Sequence, residues 1–264
     1  FKTMENLKRS FSKFCALTTD LIIANGDDAN TMEAVAASGT KARVITFGKT
    51  SGNDFYADDI RRVSDFHTDF ALMHGGRRLC DITIHVPGEH NVYNAVAACA
   101  AAYSAGIPVS ALRDGLDQFG GAMRRFECRA VINGVTIVDD YGHHPAEIAV
   151  TLKTAKEMSF KRVWVVHQPF TYSRTAMLLD EFAQALSIAD RVVLTEIMGS
   201  REKNTFNIYA KDLAEKIDGC VWFPTFEEVA RYVADNVAEG DLVITTGCGD
   251  VYKVADRLIE MLKA

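Results

Sequence analysis

The sequence runs to 264 residues, 48% of them hydrophobic and 24% charged, with a formal net charge of -6 at neutral pH. That length suits one large domain or two smaller ones, and two are expected. The acidic balance leaves no electrostatic footprint for nucleic acid or an anionic membrane surface, and no apolar run approaches the roughly 20 residues that span a bilayer.

Leu7, Phe11 and Phe14 recur at helical spacing and lead into an apolar run over residues 21–24, which stops at Asn25-Gly26-Asp27-Asp28. This pattern predicts a helix feeding a buried strand. A second such unit follows, with a helix over residues 31–38 stopped by Gly39 and a strand over 42–47 stopped by Gly48. Helix alternating with strand implies a parallel sheet. Residues 55–86 turn strand-like, and the turn His74-Gly75-Gly76 between apolar runs predicts a β-hairpin. Residues 91–105 are nearly all small or apolar, which predicts a buried helix closed by Gly106-Ile107-Pro108, and a shorter helix over 110–118 ends at Phe119-Gly120-Gly121.

That glycine pair is the best boundary candidate. Beyond it the chain restarts as a hairpin (128–132, Asn133-Gly134, 135–139) and continues as a long alternation. Helices are expected over 145–158, 175–187, 208–217, 226–237 and 250–262, with strands over 162–166, 191–195, 221–223 and 241–246: a Rossmann-like arrangement. The six cysteines (Cys15, Cys80, Cys99, Cys128, Cys220, Cys248) are scattered without a CxxC pair, so neither a zinc site nor a disulfide framework is indicated, and a reducing cytoplasm fits. A start on Phe1, without signal-peptide character, points to a piece of a longer protein.

In an open α/β sheet, ligands bind beyond the carboxyl ends of the strands. Polar residues at four such places stand out: 139–145, 167–174, 196–202 and 247–250. The first packs Asp139, Asp140, Tyr141, His143 and His144 into six residues ahead of Pro145, which suits the first helical position. Asp140 or His144 acting only as a helix cap is the bland alternative. A metal on His143 and His144 is disfavoured, because adjacent residues rarely point at one ion. Arg174 near a helix start suits a carboxylate, or is a solvated first-turn charge. Gly247-Cys248-Gly249-Asp250 lacks the third glycine of a dinucleotide loop and the Lys-Ser/Thr of a phosphate loop, so it is a tight turn.

In the first half, Asn91 and Asn94 share one face of a helical turn within Gly88-Glu89-His90-Asn91-Val92-Tyr93-Asn94. An amide both donates and accepts, as recognition of a purine edge requires. Asn91 as an N-cap with Asn94 as a structural amide is the alternative. Arg124-Arg125-Phe126-Glu127 follows the boundary, where it brings cations to a ligand or makes a salt bridge.

In this order, Gly88 to Ala95, Arg124 to Glu127 and Asp139 to Pro145 resemble the Mur ligase family, and the resemblance runs through nearly the whole chain. The double-His loop, Gln168-Pro169 and Thr171-Tyr172-Ser173-Arg174-Thr175 are similar to its L-alanine-adding branch. The resemblance implies a partial central ATPase-type α/β domain over residues 1–122 and a Rossmann-like carboxyl-terminal domain over 123–264, with a mostly parallel sheet. It implies an ATP-dependent amide ligase: the carboxylate of UDP-N-acetylmuramate is phosphorylated, and the amine of L-alanine attacks the acyl phosphate. Asn91 and Asn94 would contact adenine with His90 beside them, Arg125 the ATP phosphates and Asp140 the ribose. Tyr141, His143 and Arg174 would line the L-alanine pocket.

Two departures matter. Family members commonly carry His after Gln-Pro, where this chain has Phe170. The chain also has no GxxxxGK phosphate loop, since Gly48-Lys49-Thr50 lacks the upstream glycine. The phosphate loop, the magnesium ligands and a UDP-binding domain are therefore expected upstream, and this chain alone is expected to be inactive. Rival readings are a related ligase that adds a recycled tripeptide, a non-catalytic nucleotide-binding protein of the same fold, and a nicotinamide dehydrogenase, against which the missing GxGxxG counts.

Overall fold

The computed structural model describes residues 3–264, which divide into two compact units, one up to Gly120 and one from Gly121 on. In the first unit, helix α1 (Met4–Leu17) starts at Thr3, whose hydroxyl accepts the Asn6 N–H. It feeds strand β1 (Leu21–Asn25), helix α2 (Ala29–Ala37) capped by Asp28, and strand β2 (Arg43–Gly48). Strands β3 (Phe55–Ser64), β4 (His67–His74) and β5 (Arg77–Ile84) follow. The five strands form one sheet in chain order. Its β1–β2–β3 pairs are parallel, and β3–β4–β5 are antiparallel. The expected hairpin is thus two thirds of a three-stranded meander. The wholly parallel sheet is a mixed one, because β3 turns straight back at a short loop without a crossover helix.

Helix α3 (Glu89–Ser104) buries Val92, Ala95, Val96, Cys99 and Ala100 against Phe55, Phe70, Leu72, Ile82 and Ile84 of the meander. Each such large side chain contributes about 1.5–3 kcal/mol by leaving water. Small residues at every turn of α3 let its backbone sit close to the sheet. Helix α4 (Val109–Asp117) adds Leu112 to the same core.

The second unit opens with strands β6 (Glu127–Ile132) and β7 (Val135–Asp140) around Asn133-Gly134, both at positive φ as a tight hairpin turn demands. Then come α5 (Pro145–Lys156), β8 (Arg162–His167), α6 (Tyr172–Met177), α7 (Leu179–Leu186), β9 (Arg191–Thr195) and α8 (Ala210–Ala214). Strand β10 (Val221–Phe223), α9 (Phe226–Asn236), β11 (Asp241–Thr246) and α10 (Tyr252–Lys263) complete it. The helix expected over 175–187 is broken at Leu178, whose φ of -120° and ψ of 28° leave the helical region. The one expected over 208–217 shrinks to a single turn.

The sheet order is β10-β9-β8-β11-β7-β6, parallel except for the edge strand β6. The last strand therefore lies between β7 and β8. Helices α9 and α10 pack on the face that carries Ile137, Trp164, Val166 and Val243. By the alternation of a strand, Val163 and Val165 face the other way, where α5 rests on β8 and α7. At its amino end β11 is tied down by buried Asp241, which accepts from Arg162 at 2.6 Å and from the Trp164 indole at 3.1 Å. No helix among the described residues is long and apolar enough to cross a membrane.

Candidate functional site

Because β11 is inserted between β7 and β8, three carboxyl-terminal strand residues fall in one row: Thr246 is in register with Asp140 on one side and His167 on the other. The chain leaves β7 for α5 and leaves β11 for α10 on the opposite face. Loops that part in this way open the crevice where α/β sheets bind ligands.

Asp140 is 5% exposed. Its Oδ2 accepts the Phe126 N–H at 2.9 Å, and its Oδ1 accepts the Gly142 N–H at 2.8 Å and the Thr151 hydroxyl at 3.2 Å. A carboxylate offers about four lone-pair sites, so one remains on Oδ2. Asp140 does not cap α5; that position belongs to His144, whose Nδ1 accepts the Ala146 N–H. Asp139, wholly buried, accepts from the Arg124 guanidinium at 2.8 Å and the Thr245 hydroxyl at 2.7 Å.

Arg124 also donates to the Gly247 carbonyl at 2.7 Å and lies over the Tyr141 and Tyr252 rings. It is a structural clamp. Arg124 and Phe126 sit at φ 58° and 48°, a costly conformation for residues with a Cβ, held here because both ends of the segment are bound to the sheet. The neighbouring Arg125 is exposed and lies over Tyr141 at 5.6 Å.

Tyr141 is exposed and meets the His143 ring edge-on at 5.6 Å. His143 and His144 each donate a backbone N–H to Glu147, at 3.0 and 3.2 Å. Burial pushes the Glu147 carboxyl up, but those two N–H groups and the His143 and Arg125 charges outweigh it and hold it below its ordinary value. Arg125, Asp140, Tyr141 and His143 thus share one loop system. Arg174, on α6, follows β8, one strand removed from β7, and its Nη1 is buried and without a partner. Glu202 fixes the start of α6 by accepting from the Ser173 hydroxyl and N–H. Phe170 is bridged to Met198 beside it.

The sequence singled out His167 and Gln168 only as polar residues past a strand end, and Thr246 not at all. Thr246 joins the loops through its hydroxyl bond to the Gly142 carbonyl at 2.8 Å. His167 is wholly buried, its Nδ1 at 3.0 Å from the Thr246 carbonyl, and burial pushes its pKa down to about 4. Gln168 donates to the Glu196 carbonyl and lies against Gly249, where a Cβ would meet its Oε1 at 2.6 Å. Only the strand order brings Thr246 beside the other two.

In the first unit, α3 begins at Gly88, whose φ of 92° makes the turn in, so Asn91 lies inside the first turn and is not the N-cap. The Asn91 side-chain amide donates to the Pro87 backbone carbonyl at 2.7 Å, and the Asn94 amide donates to the Asn91 side-chain Oδ1 at 3.1 Å. The exposed Asn94 thus presents a carbonyl oxygen and one amide hydrogen. His90 is exposed in the same turn. Lys49 follows β2, pairs with Glu89 at 3.6 Å and lies over the Tyr93 ring at 4.7 Å. Its loop is held by Asp27, which accepts the Lys49 N–H and the Asn53 amide. Among the described residues no group of three or more His, Cys, Asp or Glu side chains is placed to hold a metal ion.

Comparison with known proteins covers both units. Residues 1–102 match the Mur ligase middle domain, and residues 124–249 match the Mur ligase glutamate ligase domain. The UDP-N-acetylmuramate--L-alanine ligase of Acetivibrio thermocellus is 39% identical over 98% of this chain and 56% of its own length. That of Lachnospira eligens is 41% identical over 98% of this chain and 58% of its own length. The chain therefore spans a little over half the length of these relatives. The crystal structure of the UDP-N-acetylmuramate-alanine ligase of Thermotoga maritima has the same fold, with a TM-score of 0.79 at 24% identity over 99% of this chain and 56% of that one. With both units matched in order, the chain belongs to the Mur ligase family.

Proposed function

We propose that this chain is part of an ATP-dependent amide ligase that joins L-alanine to UDP-N-acetylmuramate, a step in making peptidoglycan precursors in the cytoplasm. The observation that carries this reading is the likeness, over 98% of the chain, to relatives named UDP-N-acetylmuramate--L-alanine ligase. Amide formation of this kind needs an activated carboxylate, and ATP supplies the phosphoryl group. The chain's own residues bind, orient and balance charge.

The free carbonyl oxygen and amide hydrogen of Asn94 suit the donor-acceptor edge of adenine, with Asn91 holding its orientation and His90 alongside. Arg125, exposed and lying over Tyr141, supplies a cation for the phosphates. The one lone pair left on Asp140 is enough for a single ribose hydroxyl, so its larger task is to hold the loops. Tyr141, His143 and Arg174 form the L-alanine pocket, with the unpaired Arg174 Nη1 meeting the carboxylate. Phe170 offers no imidazole to that pocket. Magnesium would enter with ATP, on ligands outside this chain.

The test is ADP formation by the protein expressed from its full reading frame, with UDP-N-acetylmuramate and either L-alanine or a tripeptide as acceptor. Turnover with L-alanine and not the tripeptide is expected, whereas the reverse preference assigns the chain to the tripeptide-adding relatives. Residues 1–264 alone are expected to form no ADP, and L-alanine-dependent ADP formation by them would sink that expectation.

A further inference from the structure

Helix α6, which carries Arg174, is weak at both ends. It has six residues, Thr171 gives it no side-chain cap, and Leu178 breaks it from α7. Thr171 holds a φ of 65° with a ψ of 139°, a conformation that a β-branched residue keeps only where its surroundings impose it. A helix this short does not hold itself in water. The place of Arg174 therefore depends on what is bound around α6.

Those bonds come from one segment, residues 198–202, which follows β9. The Met198 N–H donates to the Pro169 carbonyl at 2.9 Å, and the Thr171 N–H donates to the Met198 carbonyl at 3.0 Å. On the helix side, the Thr175 N–H and hydroxyl both donate to the Thr171 carbonyl, at 3.2 and 2.8 Å. Glu202 closes the arrangement. Its Oε1 accepts the Ser173 hydroxyl at 2.6 Å and its Oε2 the Ser173 N–H at 2.8 Å, so a residue 29 positions along the chain supplies the cap that Thr171 does not. Tyr172 meanwhile lies against Gly199, where a Cβ would meet its ring. The segment comes this close because position 199 carries no side chain.

We propose that Glu202 is a positioning residue for the incoming amino acid: by fixing Ser173 it fixes the turn on which Arg174 stands. The inference rests on the reading of Arg174 as the group that meets the L-alanine carboxylate, and it adds the residue that sets where that group is. Glu202 bonds Ser173 and not the Arg174 guanidinium, whose buried Nη1 is left for a ligand. A carboxylate suits this task, because hydrogen bonds to a charged acceptor are stronger than those to a neutral one, and a negative charge at the start of a helix is favourable. The bonds from the Ser173 hydroxyl and N–H hold its pKa below the ordinary value, which keeps it ionised at neutral pH.

The experiment uses the protein from the full reading frame. Glu202→Ala should raise the KM for L-alanine about tenfold, the value of one charge-assisted hydrogen bond, with the KM for ATP and for UDP-N-acetylmuramate unchanged. Glu202→Gln, whose carbonyl still accepts one of the two bonds, should raise it about threefold. Adding Thr171→Gly to Glu202→Ala separates positioning from contact. Glycine takes a positive φ without strain, so α6 needs less holding and most of the tenfold rise should be recovered. A carboxylate that touched the substrate itself would leave the double variant unrecovered. In an Arg174→Met background, Glu202→Ala should change the KM for L-alanine by no more than about twofold, and a full tenfold effect there would overturn the inference.

Hydrogen exchange gives a readout without turnover. In Glu202→Ala the amides of residues 172–178 should exchange at least about tenfold faster, while those of β8 and β9 keep the wild-type rate. Unchanged exchange in α6, or an unmoved KM for L-alanine in folded Glu202→Ala, overturns the inference alone. Wild-type protein without L-alanine-dependent turnover instead sinks the ligase reading, and this inference with it.

Discussion

At the carboxyl end of the second sheet the polar side chains are inside: Asp139 and His167 are wholly buried, and Asp140 nearly so. At the corresponding end of the first sheet they are outside, with the side chains of Lys49 and Glu89 61% and 64% exposed and Asn94 on the surface. Both ends carry candidate ligand groups. The buried set is expensive to desolvate, and hydrogen bonds compensate it atom by atom, so function and stability there are held by the same residues. The exposed set contributes little to stability and is free to serve a ligand.

The largest effect that would break this contrast belongs to Arg124. Replacing it by Met leaves the Asp139 carboxylate buried without its cation, which typically costs about 3–5 kcal/mol. Both tryptophans, Trp164 and Trp222, lie in the second unit, so their fluorescence during urea unfolding reads that unit alone. A loss under about 1 kcal/mol would mean that water reaches Asp139 and that the buried set is not what it is taken for.

Gly247→Ala is the next in size. Its φ is +147°, and a Cβ would meet the Gln168 carbonyl at 3.0 Å, so the same unfolding assay should show a loss of roughly 1–3 kcal/mol.

His167 sharpens the contrast through pH. Its pKa is about 4 in the folded protein against an ordinary 6.5, so the unfolded chain takes up the proton first. The stability due to the neutral buried ring is complete above about pH 6.5 and is lost as pH falls toward about 4. His167→Phe should flatten the unfolding midpoint across that window. A curve as steep as that of the wild type would assign the acid sensitivity to other groups.

Asn94→Ala should do least to stability, changing it by no more than about 0.5 kcal/mol. Calorimetric binding of ADP to the full-frame protein should weaken about fivefold to tenfold. A stability loss with unchanged ADP affinity would reverse the roles assigned to the two ends.

Most elements were legible because their signals are local. Asn133-Gly134 announces its hairpin, and strands β8 and β11 are marked by the apolar runs at their centres. The break at Leu178 was not legible, since residues 175–187 keep a helical pattern across it. Nor was the positive φ of Arg124 and Phe126, which long-range bonds to Asp139, Asp140 and Gly247 impose. Of the candidate site, Asp140, Tyr141, His143 and Arg174 stood out by residue type and place. His167 stood out only as a polar residue just past the strand expected over 162–166, and nothing local shows that it is buried. Its meaning comes from Thr246, which is 79 residues away and reaches it only through the sheet order.

That order has a consequence for how the protein is made. Strand β11 is the last of the second unit to be synthesised, yet it lies between β7 and β8. Until residues 241–246 arrive, β7 and β8 have no common neighbour, and the row of Asp140, Thr246 and His167 does not exist. A ribosome-bound chain ending before Asp241 should therefore carry every candidate side chain of the second unit except Thr246 and the loop behind it, and still have no site. Long-range pairing of this kind is slow to form, so the binding groups come together as the final event of folding, and a partly made chain cannot capture substrate before it is released.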